Sequence, residues 1–482
     1  MIRYVLFILL MGCAVRAGAF PMVEEGVYRV EGSVDLKGST IRLDPGTVLD
    51  LTQGSLQNGK VVGNDSRLSV SGSDAVLDGI ILEGTWCGPV EDRWFSLEER
   101  DSPYWIVSNV FKFNEVTFFR DAYWLEMWNP IVLNRHRMVV HGNGVKLYLP
   151  SDKGALANGE WGAKYRKESL FGNPVSGGPG ESFLFEDLHI VDNAKTIRKS
   201  GWGQDMDVFR IYFYFEVLGR EVVYRNVTSD GMGVLVKVYN LWQHIDHLEM
   251  DRCEVKAGQF ALEVCNLSQE GYPGGTCDHI LVRDCRFYQY PCQPYVGLLS
   301  VVGENLTEQM LIENCIFDAT RKDGNLELSS VRNIVLRNNT MINQFVNSYP
   351  LPKIERYDIL GNTFIFRKQR SNCSFNFGGK EVVFKKNELI YEVEDVGFIS
   401  AAPGIRSLEM VQNTFDFSAI RTLTENRTLL SLSGLSLTGG RLRMIRNKVV
   451  PPAAKGPNHF IFNIPERLES SVGNHLGGVL VQ

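Results

Sequence analysis

From Phe185 onward one phrase keeps returning: an apolar residue, two mostly polar ones, then Asn or Cys, a variable residue and another apolar one. It reads Phe185-Glu-Asp-Leu188, Tyr224-Arg-Asn226, Met250-Asp-Arg-Cys253, Val282-Arg-Asp-Cys285, Ile312-Glu-Asn-Cys315, Leu336-Arg-Asn-Asn339, Ile359-Leu-Gly-Asn362, Phe384-Lys-Lys-Asn387, Met410-Val-Gln-Asn413 and Met444-Ile-Arg-Asn447. The steps between successive pivots are 38, 27, 32, 30, 24, 23, 25, 26 and 34 residues. A near-regular period with ragged insertions marks stacked units.

Each pivot sits between short strands of period-two apolar residues, such as Ile280 and Val282 before Cys285 and Phe287 after it, and no helical apolar period appears in this region. A turn of about 25 residues then holds three short strands and their corners, which fits an all-β parallel β-helix better than a helical repeat or a propeller blade. Asn at the pivot suits a left-handed corner, and its amide can bond the Asn of the next coil. Neighbouring coils lie about 4.8 Å apart, so the pivots are expected to stack into a ladder. Cys253, Cys285 and Cys315 share one rung position in three successive coils and read as a buried stack of small apolar groups.

Composition adds bounds. With 482 residues, 44% hydrophobic and 22% charged, the chain has ample core, and a net charge of −6 argues against nucleic acid as a partner. Met1-Ile-Arg3-Tyr gives a positive start, Val5 to Val15 an apolar run too short to span a bilayer, and Ala17-Gly18-Ala19 a small-residue cleavage site. Residues 1–19 are therefore expected to be a signal peptide, and the protein to be exported to the periplasm or outside. Leu10-Met-Gly-Cys13 also resembles a bacterial lipobox, which would make Cys13 a lipid anchor and the protein an outer-membrane lipoprotein. No other stretch is apolar enough to form a transmembrane segment. Nine cysteines less Cys13 leave eight, too sparse for a disulfide scaffold, with Cys265 and Cys277 one candidate bridge.

Residues 20–53 alternate apolar positions with Gly and Asp44-Pro45-Gly46, and read as N-terminal capping strands over the open end of a solenoid spanning 54–482. The run from Gly54-Ser-Leu-Gln-Asn-Gly59 through Gly84-Thr-Trp86 to Arg93-Trp94-Phe95 resembles the opening of exported bacterial proteins of the pectate-lyase and tailspike superfamily. That resemblance implies a right-handed parallel β-helix. Relatives follow this opening with a Gly-Asp-Gly and Asp-Asp-Thr segment and a short helix; this chain has Ser96-Leu-Glu-Glu-Arg100-Asp-Ser-Pro instead. Trp124 and Trp128 read as packing or capping residues. Residues 155–180, rich in Gly and carrying Trp161, Lys164, Tyr165, Arg166 and Lys167, break the rhythm as a long loop insertion that would form a wall or lid.

In enzymes of that superfamily the substrate groove runs along the strand that follows the long corner after the ladder turn, which here gives Arg210 to Glu216, Val234 to Tyr239, Ala261 to Cys265, Leu298 to Val302, Asn325 to Ser329 and Ser374 to Phe377. Alternation turns Arg210, Tyr212, Tyr214, Glu216, Lys237, Tyr239 and Glu263 outward, with Glu327 and Asn376 further along the row. Corner loops add Lys199, Trp202, Asp205, Asp207 and Asp230 on one side and Trp242, His244, Asp246, Tyr272 and His279 on the other. Aromatic faces with fixed polar partners suit a polysaccharide or oligosaccharide. The competing reading is a ladder of cross-strand charge pairs in which Lys237 neutralises Glu216 or Glu263.

Two chemistries compete for the patch, with elimination the leading reading and hydrolysis the alternative. β-Elimination on a uronate-containing glycan by a polysaccharide lyase would use Lys237 as base, Arg210 as carboxylate partner, and Tyr239 or Tyr214 as proton donor. A glycoside hydrolase would use paired carboxyl groups, Glu216 with Glu263 or Asp205 with Asp230. The same scaffold also serves non-catalytic glycan-binding or adhesion proteins. No cofactor is required; Ca²⁺ on Asp205, Asp207 and Asp230 is one option, and neither His244 with His247 nor His136 with His141 makes a case for zinc.

Overall fold

The computed structural model describes residues 22–24, 26–97, 104–125, 131–133, 137–149, 169–172, 180–192, 213–231, 234–241, 243–257, 260–268, 274–289, 296–319, 324–347, 353–367, 375–394, 399–432, 435, 439–464, 468–477 and 479–481. Two compact units divide the chain, residues 1–120 and 121–482. No described helix is long and apolar enough to cross a membrane.

In the first unit Met22–Glu24 runs antiparallel to Val27–Asp35, which pairs in parallel with the long strand Val48–Ser69; that strand also carries Thr40–Arg42 and Leu77–Cys87 in parallel. Corners stack backbone on backbone here: at Gly84 (φ +73°) a Cβ would meet the Gly63 carbonyl oxygen at 2.0 Å, so only glycine fits. The segment that departs from the resembled pattern leads into a short helix, Tyr104–Val110. Its buried Asn109 accepts from the Leu82 N–H (2.9 Å) and donates to the Ile80 carbonyl (2.9 Å), bonding the backbone of the neighbouring strand.

The second unit is an all-β parallel β-helix. Each coil contributes one strand to each of three parallel sheets. Sheet I has 13 strands stacked in coil order, among them Phe213–Glu216, Val234–Asn240, Leu262–Asn266, Val296–Gly303, Gly324–Leu328, Gln344–Asn347, Phe375–Phe377, Ile399–Ala401, Arg427–Ser431 and Phe460–Asn463. Sheet II holds Gly219–Arg225, His244–Asp251, Thr276–Arg283, Thr307–Glu313, Val331–Arg337 and their successors, and sheet III the short strands after the pivots, such as Glu254–Ala257 and Arg286–Gln289. Strands expected from the sequence as the row after the long corner are all in sheet I. Gln344–Asn347 belongs to the same row and was not anticipated. Within residues 155–180, expected as one continuous loop, Ser169–Gly172 is a sheet I strand.

The pivots do stack, with two corrections. The left-handed residue is the one before the pivot: Asp187, Asn226, Arg252, Asp284, Asn314, Asn338, Lys386, Gln412 and Arg446 all have φ between 50° and 57°. Asn226 therefore holds the left-handed position, and Val227 takes its coil's rung. The ladder asparagines serve through their amides alone. Asn362 donates from its N–H and its Nδ2 to Asn387 Oδ1 (2.9 and 3.1 Å), and its Nδ2 also reaches the Leu336 carbonyl (2.9 Å). The pattern repeats at Asn339, Asn387, Asn413 and Asn447 and ends on Asn474, one rung beyond the sequence reading.

The cysteines imitate this ladder. Cys253 N–H reaches Cys285 Sγ (3.3 Å), and the thiols of Cys253, Cys285 and Cys315 donate to the carbonyls of Tyr224, Met250 and Val282 (3.4, 3.5 and 3.6 Å). They are hydrogen-bonded rungs rather than merely small apolar groups. Burial pushes the Cys253 and Cys315 thiols well up. All six described cysteines are free, so Cys265 and Cys277 form no bridge.

Aromatic residues fill the interior in columns. Tyr391 lies between Phe366 (centroids 4.9 Å) and Phe417 (4.8 Å), and its fully buried hydroxyl has no hydrogen-bond partner among the described residues. Burial raises its pKa above the ordinary range. Tyr391→Phe keeps the ring stack and removes an orphaned polar group, so stability is expected to hold or rise by about 1 kcal/mol in urea denaturation. A loss of stability would mean that the hydroxyl has a partner.

Candidate functional site

The outward side chains of sheet I form one column set by strand register. Phe215 pairs with Val236, which puts Glu216 beside Lys237. Lys237 pairs with Glu263, Glu263 with Ser300, Ser300 with Glu327, and Glu327 with Asn347. The chain places them here because the alternate residues Phe215, Val236, Val238, Leu262, Val264, Leu299 and Val301 are apolar and point inward, all essentially inaccessible.

At the centre, Lys237 Nζ lies 2.5 Å from Glu263 Oε2, with side chains only 10% and 18% exposed. The same ammonium is 3.4 Å from Cys265 Sγ, and that thiol is 3.7 Å from Glu263 Oε1. Burial raises the Cys265 pKa while Lys237 pulls it the other way. Ser300, 1% exposed, donates to Glu327 Oε2 at 3.4 Å. Tyr239, 45% exposed, lies at the end of its strand with its ring centroid 5.9 Å from Lys237 Nζ.

A second, two-rung asparagine ladder fixes the ends of these strands. Buried Asn240 and Asn266 stand in register, with Asn240 Nδ2 donating to the Gln243 carbonyl (2.9 Å) and to Asn266 Oδ1 (3.4 Å), and Asn266 Nδ2 to Thr307 Oγ1 (3.1 Å). Sequence reading missed it, although Val-Tyr-Asn240-Leu and Val-Cys-Asn266-Leu repeat the phrase.

Of the residues singled out from sequence, Lys237, Glu263, Tyr239 and Glu216 come together. Tyr214 corrects the expectation of an open sugar contact: it is fully buried. Arg210, Tyr212, Trp202, Trp242, Tyr272, Lys199, Asp205 and Asp207 lie outside the described residues. Asp230 is on sheet III, paired with Lys256 at 2.9 Å. His244 is exposed around the corner on sheet II beside Asp246, as expected, in a group completed by Asp278, which the sequence did not single out. Its Nε2 is 3.3 Å from both Asp246 and Asp278, its Nδ1 2.8 Å from Thr276 Oγ1, and Arg220 holds Asp246 at 2.6 Å. The imidazole and two carboxylates offer ligand atoms within 4.8 Å of one another, enough for a hard or borderline divalent ion, but these atoms already partner one another and Arg220. Trp124 does not pack inward: it is 61% exposed and stacked flat on Tyr148 (5.1 Å, 9°).

The fold and this face define a parallel β-helix with a polar outer stripe centred on a shielded Lys–Glu pair. A scan against protein-family models, a search of curated proteins and a search of solved structures each return no match.

Proposed function

We propose that the protein is an exported carbohydrate-active β-helix that binds a polysaccharide along the outer face of sheet I and hydrolyses it there. The observation that carries this reading is the order Lys237, Glu263, Ser300, Glu327 on consecutive strands. Two coil steps of about 4.8 Å separate the Glu263 and Glu327 backbones by about 10 Å. A separation of that order is near the upper end of the roughly 6.5–9.5 Å at which one carboxyl group protonates the leaving oxygen and the other activates water. Glu263, with Lys237 against it, is assigned the base, and Glu327, next to Ser300, the acid. The resemblance of residues 54–95 to the pectate-lyase and tailspike superfamily supports the glycan assignment, and the leader-like composition of residues 1–19 supports export.

Elimination by a lyase is the second reading, and exposed Tyr239 beside Lys237 favours it. Against it, a base needs a free lone pair, and in a 2.5 Å ion pair Lys237 is a donor. Among the described residues of the column, three carboxylates (Glu216, Glu263 and Glu327) face one cation, which repels a uronate.

Incubation with a panel of neutral and uronate polymers tests the proposal. Hydrolysis releases reducing ends without the ultraviolet absorbance of an unsaturated uronate, and Glu327→Gln lowers the rate by about 10²–10⁴-fold. Absorbance growth instead establishes elimination. Tight binding without product from the native protein leaves a glycan-binding protein and overturns the hydrolase assignment.

A further inference from the structure

Beyond Glu327 the sheet I column continues for five more coils in register: Asn347, Asn376, Ser400, Ser431 and Asn463. Every one is a short, uncharged, hydrogen-bonding residue. Asn376, Ser400, Ser431 and Asn463 are half-buried, and Ser400 donates to Asn376 Oδ1 at 3.1 Å. Sheet II behaves differently in the same coils. There Arg356 pairs with Asp358 (2.9 Å) and Arg443 with Glu409 (3.5 Å). A solvated solenoid surface ordinarily carries such mixed charge. Five consecutive coils that stay polar while carrying none on this column need another explanation.

Amides and hydroxyls both donate and accept, as do sugar hydroxyls, so such a stripe recognises a polyol without charge complementarity. A polyanion running over it would meet none of the cations that its desolvated carboxylates require. The rungs recur about every 4.8 Å along the axis, close to the rise of one sugar residue in an extended chain, so successive residues of a polymer can meet equivalent partners. Building on the glycan reading of sheet I, we infer that the stripe from Asn376 to Asn463 is an extended subsite array for a neutral polysaccharide lying along the coil axis, with its scissile end toward Glu263.

The test measures binding of the full-length protein to soluble neutral polymers (a β-glucan, a mannan and a xylan) and to uronate polymers (pectate and alginate), at low salt and in 1 M NaCl. Expected is binding to at least one neutral polymer that survives high salt. Ser431→Asp and Asn463→Asp each weaken it about tenfold or more, because a bound chain would strip water from the new carboxylate. Ser431→Asn, which keeps a neutral hydrogen-bonding group, retains most of it, and Arg443→Glu on sheet II leaves it unchanged. Thermal midpoints of all variants confirm that each is folded. Salt-sensitive binding to uronate polymers alone, indifferent to Ser431→Asp, overturns the neutral-substrate inference while the glycan reading stands. Binding to no polymer in either class overturns both.

Discussion

Asn387→Ala is expected to lose about 2–5 kcal/mol of stability, a large share of what holds a domain folded. The buried amide of Asn387 accepts from Asn362 N–H and Nδ2 and donates to the Ile359 carbonyl (2.8 Å) and Asn413 Oδ1 (3.1 Å). Alanine leaves the Asn362 N–H and the Ile359 carbonyl short of partners in a corner closed to water, at about 1–3 kcal/mol each, and opens a void. Asn387→Cys should recover part of the loss, since the chain already uses thiols at Cys253, Cys285 and Cys315 to make the same two bonds more weakly. Asn474→Ala should cost about 1 kcal/mol, because water can reach that half-buried last rung. Denaturant midpoints and slopes for the three variants decide it. Equal losses for Ala and Cys at 387, or a loss at 474 as large as at 387, would show that the amide column does not carry the corner.

The repeating phrase made the fold legible because one geometric demand recurs in every coil. Stacked corners need a left-handed residue and, from Cys253 onward, carry a buried group that both donates and accepts; only a few residue types supply either. Which of two adjacent positions meets which demand was not legible: Asn is suited to both, so Asn226 was read as a rung when its φ of 50° puts it one place earlier. Asn474 escaped because Ser470-Ser471-Val472-Gly473 before it lacks the apolar-polar-polar lead of the other phrases.

The site was legible as a row and not as a set of environments. Period-two alternation gives direction, so Lys237, Glu263 and Glu216 fall on one face as expected. It does not give depth. Tyr214 points to the same face as Lys237 but is fully buried, as is Leu235 in the next strand, so that end of the face is covered. Ser300 went unnoticed, and Cys265 drew notice only as half of a candidate bridge, for the opposite reason: each looks like an ordinary strand residue until register sets it beside a charged neighbour. His244, Asp246 and Asp278 come from two coils 32 residues apart, His244 pairing with Thr276, and no local pattern announces that meeting.

Glu263→Leu alone is expected to cost about 3–5 kcal/mol, because it takes the 2.5 Å carboxylate partner from the Lys237 ammonium in a site where that side chain is only 10% exposed. Lys237→Met alone strands the Glu263 carboxylate, less severely, since its side chain is 18% exposed and Cys265 lies 3.7 Å away. The double variant Lys237→Met/Glu263→Leu removes both charges and should return close to native stability, so the two single losses exceed the loss of the pair. Such a cycle describes an ion pair that folding does not need. If the pair is kept for chemistry, the stable double variant must be inactive, with cleavage falling at least as far as the 10²–10⁴-fold expected of a lost acid–base group. Denaturation gives the first half of the result and reducing-end release the second, on the same three proteins. A stable double variant that still cleaves would move the catalytic centre away from Glu263. Single variants losing under about 1 kcal/mol would instead make the pair a solvated surface contact. Only the conjunction of a dispensable structural role with an indispensable chemical one supports Lys237 and Glu263 as the centre of the face.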